Sequence, residues 1–133
     1  LCFFVLGLFP AEQLKAQIES EYKAEKHVLY TVIEGPIGPA TVHHVARVLQ
    51  QSQIPSTEAV VLQLNTPGGL ADAMREIISL ILQSRVPVIT YVAPPGAHAA
   101  SAGTYILYAS HIAAMAPGTN LGAATPVQKN GFG

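Results

Sequence analysis

The chain has 133 residues, half of them hydrophobic and 11% charged, with seven basic and eight acidic side chains and a net charge of −1. Such a chain is too apolar for disorder and lacks the basic stripe of a nucleic acid binder, so no nucleic acid partner is expected. The single cysteine, Cys2, excludes an internal disulfide framework and a cysteine-rich zinc site, and no metal site or cofactor is expected. The length suits one domain or most of one, since domains commonly run to about 100–150 residues. A start at Leu1 and a glycine-rich end, Lys129-Asn130-Gly131-Phe132-Gly133, read as a fragment of a longer protein.

Leu1 to Phe9 is apolar without a charge. It is long enough for the hydrophobic part of a signal peptide and too short to span a bilayer. Residues 1–11 are therefore expected to be a signal peptide or partial membrane anchor; a buried strand is the alternative. Residues 12–26 are rich in Glu, Lys and Gln. Leu14, Ile18 and Tyr22 repeat every four positions, and Glu19 precedes Lys23 by four, which predicts a helical spacer.

From His27 to Gly133 the pattern is that of a domain. Val28 to Ile33 reads as a strand. Pro39 to Gln51 reads as a helix with Pro39 in its first turn and Val42, Val45, Ala46 and Leu49 on one face. Ala59 to Leu64 is a second strand, and Leu70 to Gln83 a helix with a stripe of Leu70, Met74, Ile77, Ile78 and Ile81. Val86 to Val92 is a third strand, Ser101 to Ala109 a third helix and Ile112 to Ala116 a fourth strand. Alternating strands and helices predict an α/β fold with a parallel sheet. The near-continuous apolar runs predict helices on both faces of that sheet.

Ligands of such sheets gather beyond the carboxyl ends of the strands. Two unusual loops fall there: Asn65-Thr66-Pro67-Gly68-Gly69 and Ala93 to Gly103. The first reads as a plain turn, or as a diglycine that brings backbone amides close to a ligand or an oxyanion. Neither GxxxxGK[ST] nor GxGxxG is present, which leaves nucleotide binding without support. In the second loop, Ser101 lies among Ala99, Ala100, Ala102 and Gly103. It reads as an N-cap serine, or as a nucleophile with the Ala102 amide, and Gly69 from the neighbouring strand end, as oxyanion donors. The G-x-S-x-G elbow fails at Ala99. His111 is expected to be structural, and the adjacent His43 and His44 match no metal motif. The direction of His98 is not readable. A lysine base is the other known solution, and Lys129 is the only lysine downstream of Ser101.

Four segments together carry a resemblance. They are Asn65 to Met74, Tyr91 to Ala97, Ala99 to Tyr105 and Met115 to Ala124, with Ile33 to Ala40 as an opening strand and turn. They resemble the membrane-bound serine proteases of the ClpP class, the long NfeD proteins associated with stomatins. The resemblance spans roughly His27 to Val127 and implies a ClpP/crotonase-like fold of repeated ββα units. It implies Ser101 as nucleophile and the amides of Gly69 and Ala102 as oxyanion hole. It places the general base of the Ser-Lys dyad roughly forty residues after the serine, beyond Gly133, so that Lys129 is too close. The expected activity is a serine endopeptidase acting on hydrophobic peptide segments, including those of a stomatin-like membrane protein. The expected full protein is membrane-associated and at least dimeric, with its protease domain on the extracytoplasmic side; the fragment alone is expected to be inactive. Two alternatives share the features: a crotonase-type acyl-CoA enzyme, which needs no serine nucleophile, and a catalytically silent membrane scaffold.

Overall fold

In the computed structural model, which describes residues 10–13, 15 and 25–124, the alternating pattern folds as a parallel sheet with crossover helices. Strand β1 (His27–Glu34) precedes helix α1 (Pro39–Gln51), and β2 (Thr57–Asn65) precedes α2 (Ala71–Leu82). Then come β3 (Val88–Val92), β4 (His98–Ala99), α3 (Ala102–Ala109), β5 (Ile112–Met115) and β6 (Asn120–Leu121). The expectations for residues 1–9, for most of 12–26 and for Lys129 lie outside the described residues. Among the described residues no helix is long and apolar enough to cross a membrane.

Helix α1 begins where the sequence predicts, because the fixed φ of Pro39 suits the first turn and its missing N–H is not needed there. It buries Val42, Val45, Val48 and Leu49. Helix α2 buries Ala73, Ile77 and Ile81, with Met74 and Ile78 half-buried against the same core. A fully buried Ile contributes about 1.5–3 kcal/mol, so these few positions hold the helix down. Leu70, expected in that stripe, is instead 59% exposed. The helix starts one residue later, and Leu70 is its extended N-cap residue, outside the helical periodicity.

The main sheet has the order β1-β2-β3-β5, with every neighbouring pair parallel. Because the order never reverses, right-handed crossovers set all three helices on one side: α1 packs on α2, and α2 on α3. Ile33, Val60, Leu62, Leu64, Val88 and Val92 point into this helix layer and are buried. The register puts Val28, Tyr30, Val32, Val61, Ile89, Tyr91 and Ile112 on the other face, and none of them is buried. The expected two-sided covering is thus corrected. The strands read as continuously apolar, but among the described residues helices cover only one face.

After each long strand the chain makes a short parallel contact before its helix. Ile37 bridges Gly69, Thr66 bridges Ala99, and β4 pairs with β6. These contacts form the second, small layer of the ββα unit, directly beyond the carboxyl ends of the main strands.

Candidate active site

The two loops singled out in the sequence are stitched together by backbone bonds. The Thr66 N–H donates to the His98 carbonyl (2.7 Å) and the Ala100 N–H to the Thr66 carbonyl (3.1 Å). The Asn65 Oδ1 accepts the His98 N–H at 3.1 Å. Residues far apart in sequence are thereby fixed side by side. Gly69, Ser101 and Ala102 line one cavity of about 360 Å³, together with Ala71, Met74, Arg75, Tyr105 and Ala124.

Ser101 occupies the N-cap position of α3, with φ 50° and ψ −113°, but its side chain caps nothing. The Gly103 amide, which a capping hydroxyl could have taken, donates to the Ala100 carbonyl at 2.9 Å. The N-cap reading therefore gives way to an exposed hydroxyl with no hydrogen-bond partner among the described residues. The Ser101 backbone is itself held at both ends: its N–H donates to the Ala123 carbonyl (2.8 Å), and its carbonyl accepts from Thr104 (3.0 Å). The Thr104 hydroxyl in turn donates to the Ala99 carbonyl at 2.7 Å, anchoring the start of the helix.

Two residues that line this cavity have backbone amides left free by the local pairing among the described residues. Ala102 is the first residue of α3, so its N–H has no acceptor within the helix. Gly69 sits opposite Ile37, and the bonds of that bridge belong to its neighbours: Ile37 N–H to Gly68 O (2.8 Å) and Leu70 N–H to Ile37 O (2.9 Å). In an extended chain alternate residues point their polar groups to opposite sides. The Gly69 N–H is consequently turned away from Ile37. Among the described residues neither amide has a backbone acceptor. The arrangement can hold negative charge on an oxygen close to a serine hydroxyl.

The glycines of the first loop are required by close approach. Gly68 has φ +106°, and a Cβ there would lie 2.6 Å from the Ser101 Cβ. A Cβ on Gly69 would lie 2.1 Å from the Ile37 carbonyl oxygen. The backbone contact with Ile37 alone forbids a side chain at Gly69.

The histidines lie elsewhere. His111 accepts the Val88 N–H on Nδ1 at 3.1 Å, a structural role as expected. The His44 Nε2 pairs with the Thr31 hydroxyl at 2.6 Å, and His43 and His44 line a different surface depression on α1. His98 is exposed and does not line the Ser101 cavity. Met74, Arg75 and Tyr105 were not anticipated as wall residues. Their signal was available: Met74 and Arg75 lie in the early turns of the helix that follows the diglycine, and Tyr105 lies one turn after Ser101. The Tyr105 hydroxyl donates to the Ala124 carbonyl at 2.6 Å. Arg75, paired with Asp72 at 2.8 Å, is the one charged side chain of the wall among the described residues, and both partners stay mostly in solvent.

The model of the NfeD1b N-terminal domain matches residues 27–132. The chain belongs to this family. Over 103 residues it is 48% identical to the membrane-bound protease PH1510 of Pyrococcus horikoshii, an alignment covering 77% of the chain and 23% of that protein. The membrane protein NfeD1b of Bacillus subtilis is 36% identical over 129 residues, 96% of the chain and 28% of the relative. The chain thus spans about a quarter of these relatives. Among solved structures, the 1510-N membrane-bound stomatin-specific protease superposes in a lysine-to-alanine variant bound to a substrate peptide. The TM-score is 0.76 and the identity 46%, covering 82% of this chain and 51% of that one. A serine-to-alanine variant of the same protease gives a TM-score of 0.75 at 46% identity, over 82% and 54%. ClpP1 from Listeria monocytogenes, 21% identical with a TM-score of 0.61 over 80% of this chain and 58% of its own, shares the fold of this NfeD1b domain.

Proposed function

We propose that this NfeD1b N-terminal domain is the proteolytic part of a membrane-bound serine endopeptidase, with Ser101 as nucleophile and the amides of Gly69 and Ala102 as oxyanion donors. One observation carries the reading: an uncapped serine hydroxyl shares a cavity with two backbone amides that have no backbone acceptor among the described residues. The similarity to a protease solved as serine and lysine variants supports it.

In this mechanism a neutral lysine amine, supplied from downstream of Gly133 by the family's pattern, takes the Ser101 proton as Oγ attacks the scissile carbonyl. The carbonyl π electrons move onto oxygen, where the two amides hold the resulting charge. Collapse of the tetrahedral intermediate expels the amine, which takes the proton back from the lysine ammonium. Water, deprotonated by the same lysine, then attacks the acyl carbon, and the Ser101 Oγ leaves, taking that proton from the lysine and freeing the carboxylic acid.

The cavity wall supports an apolar preference. Ala71, Met74, Ala102, Tyr105 and Ala124 bury hydrocarbon at roughly 25 cal/mol per Å², and Arg75 remains a solvated charge at the rim. Substrates are then hydrophobic peptide segments, including those of a stomatin-like membrane protein, as the relative's specificity suggests. The full protein acts as at least a dimer, with residues 1–11 as signal or anchor, 12–26 as spacer, and 27–133 as part of an extracytoplasmic protease domain.

The full-length protein is expected to label on Ser101 with a fluorophosphonate, and Ser101→Ala to abolish both labelling and peptide turnover while keeping the fold. Retained turnover in Ser101→Ala overturns the assignment. Peptides differing only in apolar residues against Lys or Glu beside the scissile bond should favour the apolar series. Equal cleavage of the charged series would remove the apolar-pocket reading.

A further inference from the structure

Thr66 is one of the few buried polar side chains, 1% exposed, and both branches of its side chain are engaged. The hydroxyl accepts the Gly68 N–H at 3.1 Å and donates to the Gly68 carbonyl at 3.2 Å. The methyl abuts α3, where a Cβ on Gly103 would lie 2.5 Å from the Thr66 Cγ2. The same Gly68 carbonyl also accepts the Ile37 N–H at 2.8 Å.

The Gly68 carbonyl and the Gly69 N–H belong to one planar trans peptide, in which they point in opposite directions. Whatever pins that carbonyl therefore aims that N–H. Between two glycines such a unit has little steric resistance to rotation, so hydrogen bonds must supply the orientation. Ile37 pins it from the backbone, and Thr66 is the side chain that pins it from within its own loop.

We propose that Thr66 is a positioning residue: its hydroxyl fixes the Gly68–Gly69 peptide so that the Gly69 N–H faces the Ser101 cavity. The inference rests on the reading of Gly69 as an oxyanion donor. It assigns no contact between Thr66 and substrate, because the hydroxyl is buried on the far side of the peptide it holds.

Two variants of the full-length protein separate the hydroxyl from the methyl. Thr66→Val keeps the methyl against Gly103 and removes the hydroxyl; Thr66→Ser does the reverse. Complete loss of an oxyanion donor lowers turnover by about 10²–10³, and a donor left in place but loosely aimed should cost about 10-fold to 100-fold. The expected result is a fall of that size in kcat for Thr66→Val with KM changed less than about two-fold, and near-normal kcat for Thr66→Ser. A Thr66→Val protein with normal kcat, or two variants that lose activity equally with raised KM, overturns the proposal in favour of plain packing. A crystal structure of the wild-type adduct with a peptide boronic acid keeps the two readings apart. If its oxyanion-site oxygen does not accept from the Gly69 N–H, the donor reading fails and takes this inference with it. If it does, and Thr66→Val is still fully active, the inference about Thr66 alone fails.

Discussion

At Gly68 two independent constraints meet, a left-handed φ and a Cβ position 2.6 Å from that of Ser101. Gly68→Ala must therefore both strain its own backbone, by about 1–3 kcal/mol, and displace Ser101. The expected outcome is a lowered denaturation midpoint together with at least a ten-fold loss of fluorophosphonate labelling. Normal labelling would mean that the loop relaxes without moving the serine. Gly69→Ala should be worse for stability, because its obstacle is the Ile37 backbone itself, with the carbonyl oxygen only 2.1 Å away, closer than anything met at Gly68. An inactive Gly69 variant would accordingly say little about oxyanion chemistry unless its fold were measured as well.

At the scale of elements, α3 is pressed against the first loop through Gly103 and the Thr66 methyl. Gly103→Ala pushes a new carbon to 2.5 Å from the Thr66 Cγ2, and Thr66→Ser removes that carbon. The two changes should couple, with the double variant more stable than the sum of the singles by about 0.5–3 kcal/mol in a denaturant cycle. Strict additivity would show that the contact relaxes by another route. This contact was not legible in the sequence, where Thr66 and Gly103 are ordinary loop and helix residues. Helix α1 was legible to the residue, since Pro39 sets its start and its apolar spacing runs to Leu49. The main strands were legible within a few residues from their β-branched runs. The two-residue strands β4 and β6 were not, because two residues carry no periodicity. Ser101 was legible as a residue of interest but stood equally as a cap. Only the neighbouring backbone bonds, which satisfy Gly103 from Ala100, remove the cap reading.

For the whole molecule, strand order rather than strand composition determines which faces are covered. Val32 and Leu62 are both apolar strand residues. The order β1-β2-β3-β5, with all crossovers on one side, leaves Val32 46% exposed and Leu62 fully buried. Leu62→Ala is expected to cost about 2–5 kcal/mol and Val32→Thr less than about 0.5 kcal/mol, as read from unfolding midpoints of this chain. Similar costs at both positions would mean that the second face is covered after all. The backbone of Ser101, at φ 50° and ψ −113°, has a thermal consequence for the whole fold. A non-glycine residue held there forfeits about 1–3 kcal/mol, more than the roughly 0.4–1 kcal/mol that the added freedom of glycine in the unfolded chain takes away. Ser101→Gly should therefore melt a few degrees above Ser101→Ala, although both lack the hydroxyl. The position proposed for the chemistry is one at which the chain is kept less heat-resistant than a single glycine would make it.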